Sequence, residues 1–261
     1  MKIVVLMKQT FDTETRITLT NSGQIDDSKV NYIVDPYSEF AVEEALRIKE
    51  RLGTGEVIVL SVGPERVETS LRQCLAMGAD RGVLVNDPSL ADGDEFTTAL
   101  VLAKALEKME FDFILAGYQA VDDGSAQVGP RVAELLQIPC VTTVTKLELD
   151  GTKATATREV DDGFEILELQ LPGLFTAQQG LAEPRYPSMK GIMQAKKKPL
   201  ERLDLAGLGL APSAVGGQGA RVRVNIVTLP AARQAGKVIE GEPQEAVAQL
   251  LGSLKYEAKI I

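Results

Sequence analysis

Residues 2–117 alternate between short apolar runs and amphipathic helical stretches, and this alternation constrains the fold more than any other feature of the chain. The apolar runs are KIVVLM (2–7), EVIVLS (56–61), RGVLVN (81–86) and FDFILAG (111–117). Between them lie SEFAVEEALRIKERLG (38–53), ERVETSLRQCLAMG (65–78) and GDEFTTALVLAKALEKM (93–109). In the first helix Phe40, Ala41, Ala45, Leu46 and Ile48 give the apolar side, Ser38 is placed to cap it and Gly53 to stop it. Gly63-Pro64 opens the second helix and Gly78 ends it, and Asp94 stands near the start of the third. Strand–helix alternation of this kind predicts a mostly parallel α/β sheet with helices on both faces. Ligands of such sheets sit at the carboxyl ends of the strands. Those ends carry Lys8-Gln9, Ser61-Val62-Gly63, Asn86-Asp87 and the stretch that follows Ala116.

That last stretch, GYQAVDDGSAQVGPRVAELL (117–136), leads from a strand into a helix through Gly117, Gly124 and Gly129. A glycine-containing turn at a helix N-terminus is suited to cradle a phosphate with backbone N–H groups. The P-loop pattern requires Gly-Lys-Ser/Thr, and Gly129-Pro130-Arg131 stands here instead. With no lysine in the loop, a tightly held and unhydrolysed mononucleotide fits better than a triphosphate substrate. Asp122 and Asp123 are then expected as caps or as acceptors for ribose or purine groups. The plain alternative is a strand-to-helix connection.

After Leu136 the pattern changes. Residues 140–175 alternate Val, Thr and Leu around Asp150-Gly151 and Asp162-Gly163, which predicts antiparallel hairpins added to the sheet or beside it. EPRYPSM (183–189) reads either as a packed turn or as a rigid protruding loop that offers one flexible apolar side chain to a partner. AKKK (195–198) reads as a solvated helix end. Residues 206–220 read as a Gly/Ala/Pro linker. The remainder, 221–261, offers one alternating strand, RVRVNIV, and one helix, EPQEAVAQLLGSL, too little to bury a core alone.

Composition narrows the chemistry. The net charge of −9 argues against nucleic acid or an anionic membrane surface as a general partner. The absence of histidine removes Ser-His-Asp and Cys-His catalysis and the commonest metal ligand. No catalytic residue and no metal site is therefore expected. Cys74 and Cys140 form no CxxC pattern and are expected as reduced thiols. No apolar run approaches the ~18 residues of a membrane span, so the expected location is cytoplasmic.

DPYSEFAVEEALRIKE, SVGPERVETSLRQCLAMGADRGVLV, GYQAVDDGSAQVG and AEPRYPSMKGIMQAKKK, in this order and spacing, resemble the β subunit of electron-transfer flavoprotein across nearly the whole chain. The resemblance implies a Rossmann-like α/β domain over 1–205, with a partner-recognition loop at 183–194 and a C-terminal arm at 221–261 that packs on an α subunit. It implies an αβ heterodimer carrying FAD held mainly by the α subunit, with a structural AMP in β. The AMP contacts carried over are Leu6, Asp35, Pro36, Tyr37, Ser38, Val62, Gly117, Tyr118, Gln119, Ala120, Val121, Asp122, Asp123, Gly124, Ser125, Ala126, Gln127 and Val128. The recognition loop would dock acyl-CoA or related dehydrogenases through Glu183, Pro184, Arg185, Tyr186 and Met189, and electrons would pass on to a downstream oxidoreductase. Met189 occupies the leucine anchor position, and Gln194 the position of a regulatory lysine.

Two alternatives stand beside this. Electron-bifurcating members hold a second FAD where others hold AMP, with NADH as donor, and often carry threonines where Thr97 and Thr98 lie. An ATP-pyrophosphatase-like or stress-protein-like ATP binder would share the sheet. The former needs a Ser/Gly-rich loop after the first strand, where KQTFDTE stands.

Overall fold

A computed structural model describes residues 1–28, 30–232 and 235–261. In chain order its elements are β1 (Lys2–Leu6), β2 (Gln9–Phe11), β3 (Tyr32–Val34), α1 (Pro36–Leu52), β4 (Glu56–Val62), α2 (Val67–Met77), β5 (Arg81–Val85), α3 (Glu95–Leu106), β6 (Phe113–Gly117) and α4 (Val128–Leu136). There follow β7 (Cys140–Asp150), β8 (Lys153–Val160), β9 (Gly163–Gln170), β10 (Leu174–Ala177), α5 (Met189–Ala195), β11 (Leu200–Leu203), α6 (Leu205–Leu208), α7 (Gly216–Gly219) and α8 (Pro243–Gly252).

The main sheet has nine strands in the order β11-β5-β4-β1-β6-β10-β7-β8-β9. β1 pairs in parallel with β4 on one side and β6 on the other. The chain winds outward from β1 through β4 to β5, then crosses back to β6. That reversal creates a switch point at the carboxyl ends of β1 and β6. The central strands are buried on both faces, which explains their continuous Val/Ile/Leu runs. One core, with Val42, Leu46, Leu71 and Leu75, lies under α1 and α2. The other, with Val101, Leu102, Leu106 and Val132, lies under α3 and α4. The expected α/β architecture with helices on both faces is thus present, and the hairpins β7–β8–β9 extend the same sheet antiparallel.

Several local expectations are corrected. Asp35, not Ser38, caps α1: its Oδ2 accepts from Tyr37 N at 3.0 Å and Ser38 N at 3.3 Å. The helix starts at Pro36, whose fixed φ and missing N–H suit a first helical position. β10 returns parallel between β6 and β7, a placement no local pattern marks. Residues 206–220 are folded turns and not an open linker, with Leu208 and Val215 in the second core. Lys198 is not a solvated helix end, because its Nζ donates to Leu75 O and Ala79 O at the end of α2. RVRVNIV forms no strand among the described residues. Val222, Val224 and Ile226 are exposed, since no neighbouring strand supplies hydrogen bonds. α8 forms as expected and is exposed on most of its surface.

Candidate functional site

A cleft of about 360 Å³ opens at the switch point. Leu6 at the end of β1, Met7 and Lys8 just after it, Gln9 at the start of β2, Val62 at the end of β4 and Pro64 beyond it enter the cleft, with residues 116–120, 123 and 125–129 from the end of β6 to the start of α4. The start of α3 closes a further side with Asp94, Glu95 and Thr98. Of the residues carried over by resemblance, Leu6, Ser38, Val62, Gly117, Tyr118, Gln119, Ala120, Asp123, Ser125, Ala126, Gln127 and Val128 line the cleft. Asp35, Pro36, Tyr37, Val121, Asp122 and Gly124 do not line it.

The wall is held by Asp35, which is fully buried. While its Oδ2 caps α1, its Oδ1 accepts from Val121 N at 2.9 Å, tying the β6–α4 loop to the helix start. Burial pushes the Asp35 carboxyl above its ordinary value, opposed by these N–H donors and by the charge of Lys8. Tyr37 stacks edge-on against Tyr118, and its hydroxyl accepts from Gln119 Nε2 at 3.2 Å.

α4 begins at Val128 with no side-chain cap on its first N–H groups. Pro130 has no N–H, so the free donors of the first turn belong to Val128 and Gly129. Gly129 is required by packing, since a Cβ there would lie 2.9 Å from Thr176 Cγ2. Gly117 is required likewise, with Tyr37 Cβ at 2.9 Å and Ser38 N at 3.0 Å from such a Cβ. Gly124 instead has φ +60° with open space around it, so backbone conformation selects the glycine. Ala126, with φ 54°, holds a conformation that favours glycine, inside the cleft wall.

The loop lacks a lysine of its own, yet one reaches it. Lys8 Nζ donates to Asp122 Oδ1 at 2.6 Å and Asp123 Oδ2 at 2.7 Å, across 114 and 115 residues of sequence. The two aspartates are therefore partners of a cation, a role the sequence reading did not assign. Burial alone would lower the Lys8 amine, but the two carboxylates outweigh it and hold the amine above its ordinary value. Asp123 is lowered, against burial, by Lys8 and by Ser125 N.

At the third side Asp94 caps α3 in a reciprocal box with Thr97: Thr97 N donates to Asp94 Oδ1 at 2.9 Å and Asp94 N to Thr97 Oγ1 at 3.0 Å. Asp94 Oδ2 also accepts from Arg221 N at 2.7 Å and Val222 N at 3.0 Å, and the Arg221 guanidinium stacks 3.6 Å from the Phe96 ring centroid. The C-terminal arm is thereby rooted at the edge of the cleft. Burial alone would raise the Asp94 carboxyl, but these N–H groups hold it down to about 2. Thr97 is consumed by this cap, whereas Thr98 lines the cleft.

The loop 183–194 lies on the opposite core face, over α1 and α2. Tyr186 is 95% and Met189 77% exposed, which excludes a packed turn for both side chains. Pro184 is half-buried and Glu183 exposed. Arg185 faces inward: Nε and Nη2 donate to Glu43 at 2.8 and 2.9 Å, and Nη1 donates to Glu50 at 2.6 Å. This fork fixes the loop to α1. The side chain of Arg72 accompanies it, donating to Ala195 O and Lys198 O at 2.9 Å and closing the end of α5. Met193, one turn after Met189, is also exposed.

No group of His, Cys, Asp or Glu among the described residues is arranged to hold a metal. Burial pushes the Cys74 thiol far up and that of Cys140 to about 11, so neither is a reactive thiolate at neutral pH. No helix is long and apolar enough to cross a membrane among the described residues.

Comparison with known proteins meets this geometry. Residues 22–208 match the family described as electron transfer flavoprotein domain. The chain is 47% identical to the electron transfer flavoprotein subunit beta of Bacillus subtilis, over all of both chains. It is 43% identical to that of Syntrophomonas wolfei, over all of this chain and 98% of the relative. It is also 37% identical over both full lengths to the caffeyl-CoA reductase-Etf complex subunit CarD of Acetobacterium woodii. A mostly parallel α/β sheet with its cleft at the switch point, joined to full-length identity of this order, places the chain in the electron transfer flavoprotein family, among its β subunits.

Proposed function

We propose that this chain is the nucleotide-holding, dehydrogenase-docking half of a heterodimer whose α subunit holds most of an FAD. The carrying observation is the cleft at the switch point, where the uncapped first turn of α4 offers the N–H groups of Val128 and Gly129. Such a helix start is suited to a phosphate. Asp122 and Asp123, which would repel it, are both engaged by Lys8. Leu6 and Val62 add apolar lining to the same cleft, as a purine requires. The donor set thus fits a mononucleotide such as AMP. Bound to the complex, FAD supplies the redox chemistry. This chain holds AMP as a structural ligand, shields the flavin and presents Tyr186 and Met189 to an acyl-CoA or related dehydrogenase. It serves as an electron-carrier subunit, not an enzyme, in the cytoplasm, and passes electrons on to a downstream oxidoreductase. The exposed arm, 221–261, is the segment that wraps the α subunit.

A second reading is favoured by two observations: Thr98 lines the cleft, and the chain shares 37% identity with the CarD subunit. In that reading a second FAD replaces AMP and NADH is the donor. Mass spectrometry of nucleotides released from the co-purified complex separates the two. One FAD and one AMP per heterodimer is the expected result. Two FAD would establish the second reading, and ATP or no nucleotide would overturn both.

A further inference from the structure

The cleft is acidic for a site that should take a phosphate. Its charged lining is Lys8 and Arg66 against Asp94, Glu95 and Asp123, and Lys8 also pairs with Asp122. Arg66 is stacked over the Tyr32 ring, 4.2 Å from its centroid. Lys8 is the cation that bridges from the end of β1 to the phosphate-side loop. Its backbone is pinned at both ends: Lys8 N donates to Ser38 Oγ at 3.2 Å, and Lys8 O accepts from Asp35 N at 2.9 Å. The amine is therefore launched from a fixed point over the switch point.

Resting on the nucleotide reading above, we propose that Lys8 is a positioning residue that makes the loop competent for an anionic ligand by neutralising Asp122 and Asp123. Without that amine, the carboxylate of Asp123, which lines the same cleft as Val128 and Gly129, and that of Asp122, which shares the same cation, would both stand uncompensated. The partial positive charge of a helix start, ~0.5 of an elementary charge, cannot offset two full negative charges. With the amine in place the local sum falls to about one negative charge, spread over a three-centre ion pair, and the N–H groups of Val128 and Gly129 are left to the ligand. The ion pair also ties Asp122 and Asp123 to β1, so the loop approaches α4 in one arrangement. The same device explains how a phosphate-type loop can function without a lysine within it: the lysine comes from the segment just after the neighbouring strand β1 and acts on the carboxylates.

The test uses the full-length chain co-purified with its α partner and stripped of nucleotide, titrated calorimetrically with AMP and, separately, with adenosine. Lys8→Gln is expected to weaken AMP by tenfold or more and adenosine by less than about twofold, because only AMP carries the phosphate charge. The triple variant K8Q/D122N/D123N is expected to recover most of the AMP affinity. Equal weakening of AMP and adenosine would assign Lys8 a merely structural role and overturn the inference. So would unchanged AMP binding in Lys8→Gln, or a triple variant as weak as Lys8→Gln. If wild-type protein binds neither ligand, the nucleotide reading itself fails, a result distinct from a wild-type-like Lys8→Gln.

Discussion

Asp35 and Val121 meet across 86 residues of sequence, the buried carboxylate Oδ1 accepting the Val121 N–H at 2.9 Å while the other oxygen caps α1. One side chain thus sets both the start of α1 and the wall of the cleft. Asp35→Ala removes a cap worth ~1 kcal/mol and a buried charge-assisted hydrogen bond worth ~1.5–3 kcal/mol. Urea unfolding should show a loss of about 2–4 kcal/mol, and Asp35→Asn, which keeps an acceptor, a smaller one. A melting curve unchanged in Asp35→Ala would show that the cap is dispensable.

The glycines of the β6–α4 connection should separate by mechanism. Gly129→Ala and Gly117→Ala force a Cβ to within 2.9 Å of Thr176 and Tyr37 respectively, so both should lose stability and deform the cleft. Gly124→Ala meets nothing and should cost only the ~1–2 kcal/mol of a left-handed residue. Thermal melts of the three variants, with nucleotide content measured alongside, check the ranking. A Gly129→Ala protein more stable than Gly124→Ala would reverse it.

Met189 is exposed, so Met189→Ala should leave the melting temperature within error of wild type. If it anchors a dehydrogenase, the truncation should remove about 2 kcal/mol of docking energy, slowing electron transfer to the flavin by roughly ten- to a hundredfold. Stopped-flow reduction with the partner dehydrogenase reads this directly. Normal rates would move the anchor to Tyr186 or Met193.

Arg185→Met should act differently. It takes the guanidinium from Glu43, which is nearly fully buried and keeps the backbone N–H of residue 185 at 3.2 Å, and it removes the loop's ion pairs to α1. Breaking a fully buried pair costs ~3–5 kcal/mol, and partial exposure of Arg185 reduces this to about 1–3 kcal/mol. The melting temperature should fall, and proteolysis within 183–189 should accelerate. Electron transfer slowed at unchanged stability would argue that the guanidinium itself meets the partner.

The root of the arm should be acid-sensitive. The Asp94 carboxyl is lower in the folded chain, about 2, than its ordinary value of 3.8. A group lowered by folding stabilises the native state above its unfolded value and loses that contribution as pH falls. The hold of Asp94 on Arg221 and Val222 should therefore be complete above pH 4 to 5 and disappear toward pH 2. Protection of those two amides from hydrogen exchange, relative to the intrinsic rate at each pH, should fall over that range, and Asp94→Ala should show the lost protection already at pH 7.

What the sequence determined by itself was local. Continuous apolar runs marked β1, β4, β5 and β6, the 3.6-residue period marked α1, α2 and α3, Asp94 and Gly78 marked helix ends, and two Asp-Gly turns marked the hairpins, because each depends on neighbours a few residues away. The cleft could be placed at strand ends for the same reason. What only the tertiary structure decided were partnerships between distant segments. β10 settles between β6 and β7, Leu208 and Val215 turn a presumed linker into core, and RVRVNIV forms no strand despite its pattern, since a strand needs a neighbour that the described residues do not provide. The charge of the cleft belongs to the same class. Nothing near Asp122 and Asp123 in sequence announces their cation, which arrives from Lys8 because the sheet sets β1 beside β6.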